Sequence, residues 1–331
     1  GGGGGASTPA PPHPSPREGP NLTVYVAKRI VQLVPVLFLV SLIVFSTMHI
    51  LPGDPTELML AGAEGGAISA ERIAELRIAM GLNDPLHVQY LRFVGNALQG
   101  DLGTSIRFRS SVTDLVLDRF PYTLRLTLVG LAVAIVLGVV LGAAAAVWRN
   151  TWVDTLAMSL SFVGVSMPIF WLGLILIFVF GMQLQWLPVS GTESWRALVL
   201  PGITLGFVSA ALISRLTRGS LVEVMQEDYV RTARSKGLGE WRVLVGHMAK
   251  NALIPVVTVL GLQFGGMLAG AVVTEVVFSR PGLGRLIVNG ILWKDYPLIQ
   301  GAVLFTAVLY LGVNLLVDLA YAWLDPRIRY A

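Results

Sequence analysis

Gln226–Pro255, QEDYVRTARSKGLGEWRVLVGHMAKNALIP, is the longest polar interruption in the second half of the chain, and strongly apolar segments flank it on both sides. Seven basic residues fall in the surrounding region (Arg215, Arg218, Arg231, Arg234, Lys236, Arg242 and Lys250) against four acids, Glu223, Glu227, Asp228 and Glu240. A short, positively charged loop between membrane spans belongs on the cytoplasmic side. Within it a helical run ends at Lys236, meets Gly-Leu-Gly, and a second run starts at Glu240. Gly237 is a natural stop, because glycine takes the left-handed backbone at little cost. The stretch reads as two short cytoplasmic helices joined at a glycine, in a form that a soluble partner can grip.

The flanks have the composition of a membrane protein. The 331 residues are 54% hydrophobic and only 13% charged, where a soluble protein carries about 25% charged residues. There is no cysteine, hence neither a disulfide framework nor a thiolate metal site. Net charge is +4, and twenty of the twenty-four basic residues are Arg. They are dispersed, with none of the aromatic-interleaved basic stripes of a nucleic-acid binder. The charge marks topology.

About 20 apolar residues cross about 30 Å of hydrocarbon. Six runs meet that length: Ile30–Leu51, Leu124–Trp148, Leu156–Phe180, Leu198–Leu216, Leu253–Phe278 and Ile299–Leu324. The fold class expected is therefore an all-α polytopic membrane protein of six transmembrane helices. Both termini and the basic loop fall on one side. Gly138, Gly142 and an alanine run give the second span a small-residue face suited to close packing. Pro168, in SMPIFWLG, predicts a kink in the third.

Residues 1–22 are rich in Gly and Pro and are expected to be a disordered tail outside the fold. The missing initiator Met is compatible with a tag remnant or an offset start. Residues 23–51 form the first transmembrane helix. Residues 52–121 form an extracytoplasmic helical insertion: a helix capped by Ser69, a second opened by Asp84-Pro85, a turn at Gly100–Gly103, and a third over Val112–Phe120. Residues 122–331 hold the remaining spans, with the basic loop over 217–251.

Charged groups inside spans are costly and call for a partner or water. Glu275 is expected at a helix end facing an outer vestibule, with a proton relay as the alternative; Asp318 is expected to pair with an Arg near the inner surface. Gln263 and Asn314 either line a polar path or tie helices together. No HExxH, GxSxG or His cluster occurs, and no Gly-Lys dipeptide, so the chain is not itself a P-loop ATPase.

Eight motifs remain: LPGDP (51–55), GLNDPLHVQYLRF (81–93), GDLGTS (100–105), SMPIFWLG (166–173), EDYVRTARSKGL (227–238), TEVVFSRPGLGRL (274–286), DYPLIQG (295–301) and NLLVDLAYAWLDPRIR (314–329). In this order, from about residue 24 to the end, the chain resembles the inner-membrane permease subunits of peptide-type ABC importers, the dipeptide/oligopeptide, nickel and glutathione group. The resemblance implies a type I importer permease fold, a second homologous permease subunit, cytoplasmic P-loop ATPase subunits, an extracytoplasmic solute-binding protein and surrounding lipid. ATP and Mg would be bound by those partners, with no cofactor and no enzymatic activity in this chain.

The family's coupling motif, Glu-Ala-Ala and, after three residues, Gly, falls on Arg231-Thr232-Ala233 and Gly237. The first two positions depart from it. Its downstream Ile-x-Leu-Pro falls on His247-Met248-Ala249-Lys250 and is not kept, which leaves open how the second short helix ends. The resemblance assigns ATPase coupling to Tyr229, Arg231, Thr232, Ala233, Arg234 and Gly237, with the small Ala233 permitting close approach. Gln263, Glu275 and Asn314 are candidates for the path or outer gate. Arg280, Pro281, Gly282, Arg285 and Asn289 are candidates for a loop that reaches the binding protein, with Asp54 and the 69–119 helices as further docking surface. Short peptides are the preferred cargo and nickel or glutathione the alternatives. The rival class is an ion-gradient transporter working through Glu275 and Asp318.

Overall fold

The structure, a computed structural model, describes residues 22–50, 74, 77–78, 82–192 and 194–324. Residues 1–21, Asp54, most of the Ser69-capped segment and the DPRIR motif lie outside the described residues. Within the described residues the chain is helical, with one isolated bridge pair between Thr104 and Ser111. The helices are α1 (Leu22–Ile50), α2 (Leu86–Leu98), α3 (Val112–Val147), α4 (Trp152–Ser166), α5 (Ile169–Leu176), α6 (Val199–Val224), α7 (Asp228–Ser235), α8 (Glu240–Val243), α9 (Ala249–Ala252), α10 (Ile254–Val277), α11 (Leu283–Trp293) and α12 (Tyr296–Leu324). Among the described residues five helical segments, built on α1, α3, α6, α10 and α12, are long and apolar enough to cross a membrane, and α4 with α5 makes a sixth if the bent pair is one span. Helices are the form such apolar runs must take, because lipid offers no partner for a free backbone N–H or C=O.

The expected kink at Pro168 is a full break. Trp152–Ser166 and Ile169–Gln183 meet at 110°. The residue before a proline is pushed out of the helical region, and Met167 (φ −82°, ψ 125°) and Pro168 (φ −59°, ψ 132°) are both extended. The helix restarts on the freed Pro168 carbonyl, which accepts the N–H groups of Trp171 and Leu172. Ile177–Gln183 then widens to π-helical spacing.

The third insertion helix, expected over Val112–Phe120, is not separate. It runs without interruption through Pro121 into α3, a single helix of 36 residues capped by Ser111. Burial overrides the proline: Val112 and Val116 pack in a cluster with Leu283, Leu286, Leu298 and Ala302, while Pro121 itself is exposed. Asp84 likewise departs from expectation. Pro85 occupies the N-cap of α2 with no side-chain cap, and Asp84 pairs with Arg92 at 2.6 Å. The α2 helix sits on α1 through Tyr90, whose hydroxyl meets that of Ser41 at 2.8 Å and whose ring is edge-on to Phe45.

The small-residue face of α3 does what its composition predicts. A Cβ at Gly138 would stand 2.6 Å from Ile213 of α6, and one at Gly142 would run into the Ser214 carbonyl and stand 2.7 Å from Thr217. Backbone-to-backbone approach at these glycines brings α3 and α6 together over the central cluster of Leu126, Ala134, Leu205, Ala210 and Ile213. At one end of the bundle Asp154 receives both Nε and an Nη of Arg218, at 2.6 and 2.7 Å, plus the Asn150 N–H. Asp318 pairs with Arg29 at 3.2 Å, tying α12 to α1 as its position in the sequence suggested.

Candidate functional sites

Two constructions stand at opposite ends of the bundle. The first is the basic loop. Its α7 helix buries Val230 and Ala233, which join Ala146, Leu221, Val243, Met248 and Ala252 in one apolar cluster. Two apolar positions, three residues apart on one side of a polar eight-residue helix, seat it on the bundle. Ala233 is therefore not an outward contact, contrary to the reading of the sequence: it is 5% exposed and packs on its own chain. A small residue is needed there because the helix lies close to the ends of α3 and α6.

The remaining coupling candidates surround that anchor. Arg231 is exposed, with an intrahelical contact to Asp228 at 3.9 Å that carries little energy. Thr232 is exposed and its hydroxyl donates back to the Asp228 carbonyl at 2.9 Å. The Tyr229 hydroxyl accepts from Asn251 at 2.9 Å, linking the start of α7 to α9. Arg234 donates through two nitrogens to both carboxylate oxygens of Glu240, at 2.9 and 3.1 Å, which clamps α7 to α8 across the turn. Gly237 carries that turn at φ +76° with open space around its α-carbon. The second helix continues from α8 through a π-spaced Leu244–Met248 into α9, ends at Ala252, and Pro255 opens α10. That answers where it stops. The result is a platform whose inner face is apolar, with Tyr229, Arg231, Thr232 and Lys236 exposed.

At the other end stands a buried clasp. Glu275, in the last turn of α10, is 0% exposed. One carboxylate oxygen accepts the Thr123 hydroxyl at 2.6 Å; the other accepts the backbone N–H of Gly284 at 2.8 Å and of Arg285 at 3.3 Å. Thr123 Oγ1 in turn accepts the Leu283 N–H at 2.9 Å. The first N–H groups of a helix have no intrahelical acceptor, and a negative charge there is favourable. Glu275 and Thr123 together supply that cap to α11 from two other helices. Gly282 and Gly284 are glycines for contact: a Cβ on Gly282 would overlap the Glu275 carboxylate, and one on Gly284 would overlap Val272. Glu275 thus neither faces a vestibule nor borders a path, because its oxygens are consumed by the clasp.

Asp295 makes the matching joint at the far end of α11. It is fully buried and accepts the Ser105 hydroxyl (2.5 Å), the Ile106 and Arg107 N–H groups (3.1 and 3.0 Å) and the Leu298 N–H in the first turn of α12 (3.3 Å). Arg280 is a structural residue as well, not a free loop contact. It is 3% exposed and donates to the carbonyls of Gly191 and Ala197 at 3.1 and 3.2 Å. Burial pushes its guanidinium below the usual range, and the charge of Glu275 opposes that shift. Pro281, Gly282, Arg285 and Asn289 line a cleft of about 160 Å³ whose opposite wall is Phe108 and Arg119. Gln263 and Asn314 are half-buried. A Cβ on Gly265 would stand 2.9 Å from Asn314 Oδ1, so Asn314 lies against the α10 backbone.

Thr123, Asp295 and Arg119 escaped the reading of the sequence. Thr123 sits in an otherwise ordinary PYTLR step, and only its partner's position gives it a role. Asp295 lies inside the DYPLIQG motif, which was the available signal.

Two family models match this chain: "Binding-protein-dependent transport system inner membrane component" over residues 138–330, and "Binding-prot-dependent transport system membrane comp, N-term" over residues 22–127. The "Glutathione transport system permease protein GsiC" of Salmonella paratyphi A is 47% identical over 306 residues, covering 92% of this chain and 99% of that protein. The protein of the same name from Escherichia coli K12 is 46% identical over the same coverage. A solved structure described as "Crystal structure of an amino acid ABC transporter with histidines" has a TM-score of 0.48 at 19% identity, over 65% of this chain and 94% of that one. The chain belongs to the family of inner membrane components of binding-protein-dependent transport systems, as a permease subunit of an ABC importer in the peptide/nickel/glutathione group.

Proposed function

We propose that this permease forms one half of a translocation pathway for a short peptide, and that the peptide is glutathione, itself a tripeptide. The cargo rests on 47% identity, over nearly the whole chain, to a protein named for glutathione transport. A second permease subunit of the same family completes the pathway, with Gln263 and Asn314 as candidates for its polar lining.

The platform over 226–250 faces the cytoplasm, as do both termini, and docks in a cytoplasmic P-loop ATPase. The observation that carries this is the two-sided build of α7: Val230 and Ala233 fasten it to the bundle, leaving Tyr229, Arg231, Thr232 and Lys236 exposed on a turn set by Gly237. Closure of the ATPases on ATP would move the platform and open the bundle toward the outside. At the opposite end the loop between α10 and α12 receives a solute-binding protein. The rival, an ion-gradient transporter, needs titratable groups in contact with a path. Glu275 is instead occupied by hydrogen bonds from Thr123, Gly284 and Arg285, and Asp318 is paired with Arg29.

The test is uptake by the reconstituted assembly with its binding protein, comparing labelled glutathione, dialanine and Ni²⁺. Saturable glutathione uptake that requires ATP is expected. Uptake of Ni²⁺ or dialanine in its place would overturn the cargo, and uptake that persists without ATP would overturn the mechanism.

A further inference from the structure

A larger hollow, of about 730 Å³, lies between the platform and the bundle, in the size range of a small-molecule site. The last turns of α3 and α6 wall one side and the α8–α9 segment the other. The lining is mainly aliphatic, with Val140, Ala144, Leu221, Leu244 and Leu253 on its walls. Polar features interrupt it at two places. Thr217 of α6 lines it, is fully buried, and its hydroxyl has no hydrogen-bond partner. Buried polar groups are nearly always paired, so an orphan hydroxyl on a hollow calls for a ligand acceptor. At the rim Arg234 gives Nε and one terminal nitrogen to Glu240 and keeps Nη1 free. Trp148 and Trp241 stand on the same lining, both largely exposed, and such rings favour the level where hydrocarbon meets water.

The surrounding charge is one-sided. Arg149, Arg242 and Lys250 directly follow the lining residues Trp148, Trp241 and Ala249, and all three are exposed. None of them is ion-paired among the described residues. Glu240, neutralised by Arg234, is the one acid on the lining.

We propose that this hollow binds an anionic phospholipid from the inner leaflet, with an acyl chain between the aliphatic walls and the phosphate at the Arg234 rim. Guanidinium and phosphate form charge-assisted bonds, and basic pockets between spans on the cytoplasmic side take anionic head groups. Below its phosphate a phospholipid carries ester carbonyls, and Thr217 offers them a donor. A peptide, by contrast, would leave most of its backbone groups unbonded against such walls. The lipid touches bundle and platform together. Its inner-leaflet source rests on the reading of the 226–250 platform as cytoplasmic.

The experiment irradiates the complete assembly in nanodiscs with phosphatidylglycerol carrying a diazirine at the acyl end. A parallel sample receives phosphatidylcholine with the same chains, and adducts are mapped by mass spectrometry. Residues 139–148 and 241–253 should label about fivefold or more above the exposed α12 positions Val308 and Leu316, with phosphatidylglycerol alone, fivefold being the worth of roughly one basic side chain at an anionic surface. Ala144→Phe and Leu244→Phe fill the hollow and should remove that excess. Thr217→Val keeps the volume, so it tests the site without overfilling, and should reduce the excess. Equal labelling by the two lipids, or an excess that survives all three variants, overturns the site. Labelling of α12 with none at 139–148 and 241–253 assigns the hollow to a neighbouring subunit and also overturns it. Separately, an impermeant maleimide that reaches Lys236→Cys in intact cells would overturn the cytoplasmic orientation, and the inner-leaflet source with it, whatever the labelling shows.

Discussion

The Glu275 carboxylate and the Gly284 backbone N–H meet at 2.8 Å in a fully buried position, so the end of one spanning helix caps the start of the short helix that follows it. The intervening Phe278–Leu283 segment is held by the same contact. Its route is fixed by Gly282, which passes directly over the carboxylate with no room for a side chain. Removing the charge while keeping the shape isolates the energetic worth of this arrangement. Glu275→Gln removes the charge and, with the amide oxygen kept on the Gly284 and Arg285 N–H groups, sets its NH2 against the Thr123 hydroxyl, which donates in the wild type; it should cost about 2–3 kcal/mol, the scale of a buried charge-assisted hydrogen bond. Thermal unfolding of the purified protein in one detergent should fall accordingly. Unchanged stability would mean that the clasp is not a principal tie.

Thr123 tests the same joint from the other side. Thr123→Val keeps the volume and removes both the bond to Glu275 and the acceptor for the Leu283 N–H. Amide exchange at Leu283 and Gly284 should accelerate about tenfold or more, corresponding to a local loss of about 1–3 kcal/mol. Thr123→Ser, which retains the hydroxyl, should exchange like wild type.

Gly237 separates backbone strain from steric exclusion. Nothing surrounds its α-carbon, so a side chain is penalised only through φ +76°. Gly237→Val should strain the turn by roughly 1–2 kcal/mol or more and abolish uptake while leaving normal amounts of protein in the membrane. Gly237→Asn, which tolerates the left-handed region, should keep most activity. Normal uptake by the Val variant would remove the turn from the coupling mechanism.

Ala233 and Arg231 distinguish the two faces of the platform. Ala233→Leu overfills the seat beneath α7 and should cost about 1–3 kcal/mol, seen as faster proteolysis of the 226–250 segment even without ATPase. Arg231→Glu lies on the exposed face and should leave proteolysis unchanged while weakening recovery of the ATPase in co-purification. If both variants behave alike, the division into an anchoring and a docking face is wrong.

The bidentate contact of Arg218 with Asp154 joins α6 to the start of α4 beside the platform. Asp154→Asn leaves a half-buried guanidinium short of its carboxylate and should lower stability by about 2–3 kcal/mol. The double change Asp154→Asn with Arg218→Gln should recover part of that loss in a thermal melt.

The periodic and compositional signals in this chain carried far. Long apolar runs located the spans, Gly138 and Gly142 marked a close helix approach, and Gly237 marked the turn, since each signal is carried by local sequence. Signals that depend on a distant partner did not. Nothing in PYTLR says that Thr123 will stand beside Glu275, 152 positions away. Ala233 read as a docking residue because helix periodicity does not show which face meets the bundle. Pro121 and Pro168 make the same point: one proline is absorbed by a helix whose neighbours bury Val112 and Val116, and the other severs its helix.

The uninterrupted α3 helix has a mechanical consequence. At 1.5 Å per residue, its 36 residues make a strut of about 54 Å, well beyond the hydrocarbon layer. Val112, Val116 and Thr123 fasten one end to the clasp region, and Ala146 lies in the seat of the platform at the other. A push on the platform is therefore delivered to the clasp along a single lever, without passing through a loop. Pro121 is the one place on that lever where a flexure would fall, two residues before its grip on Glu275.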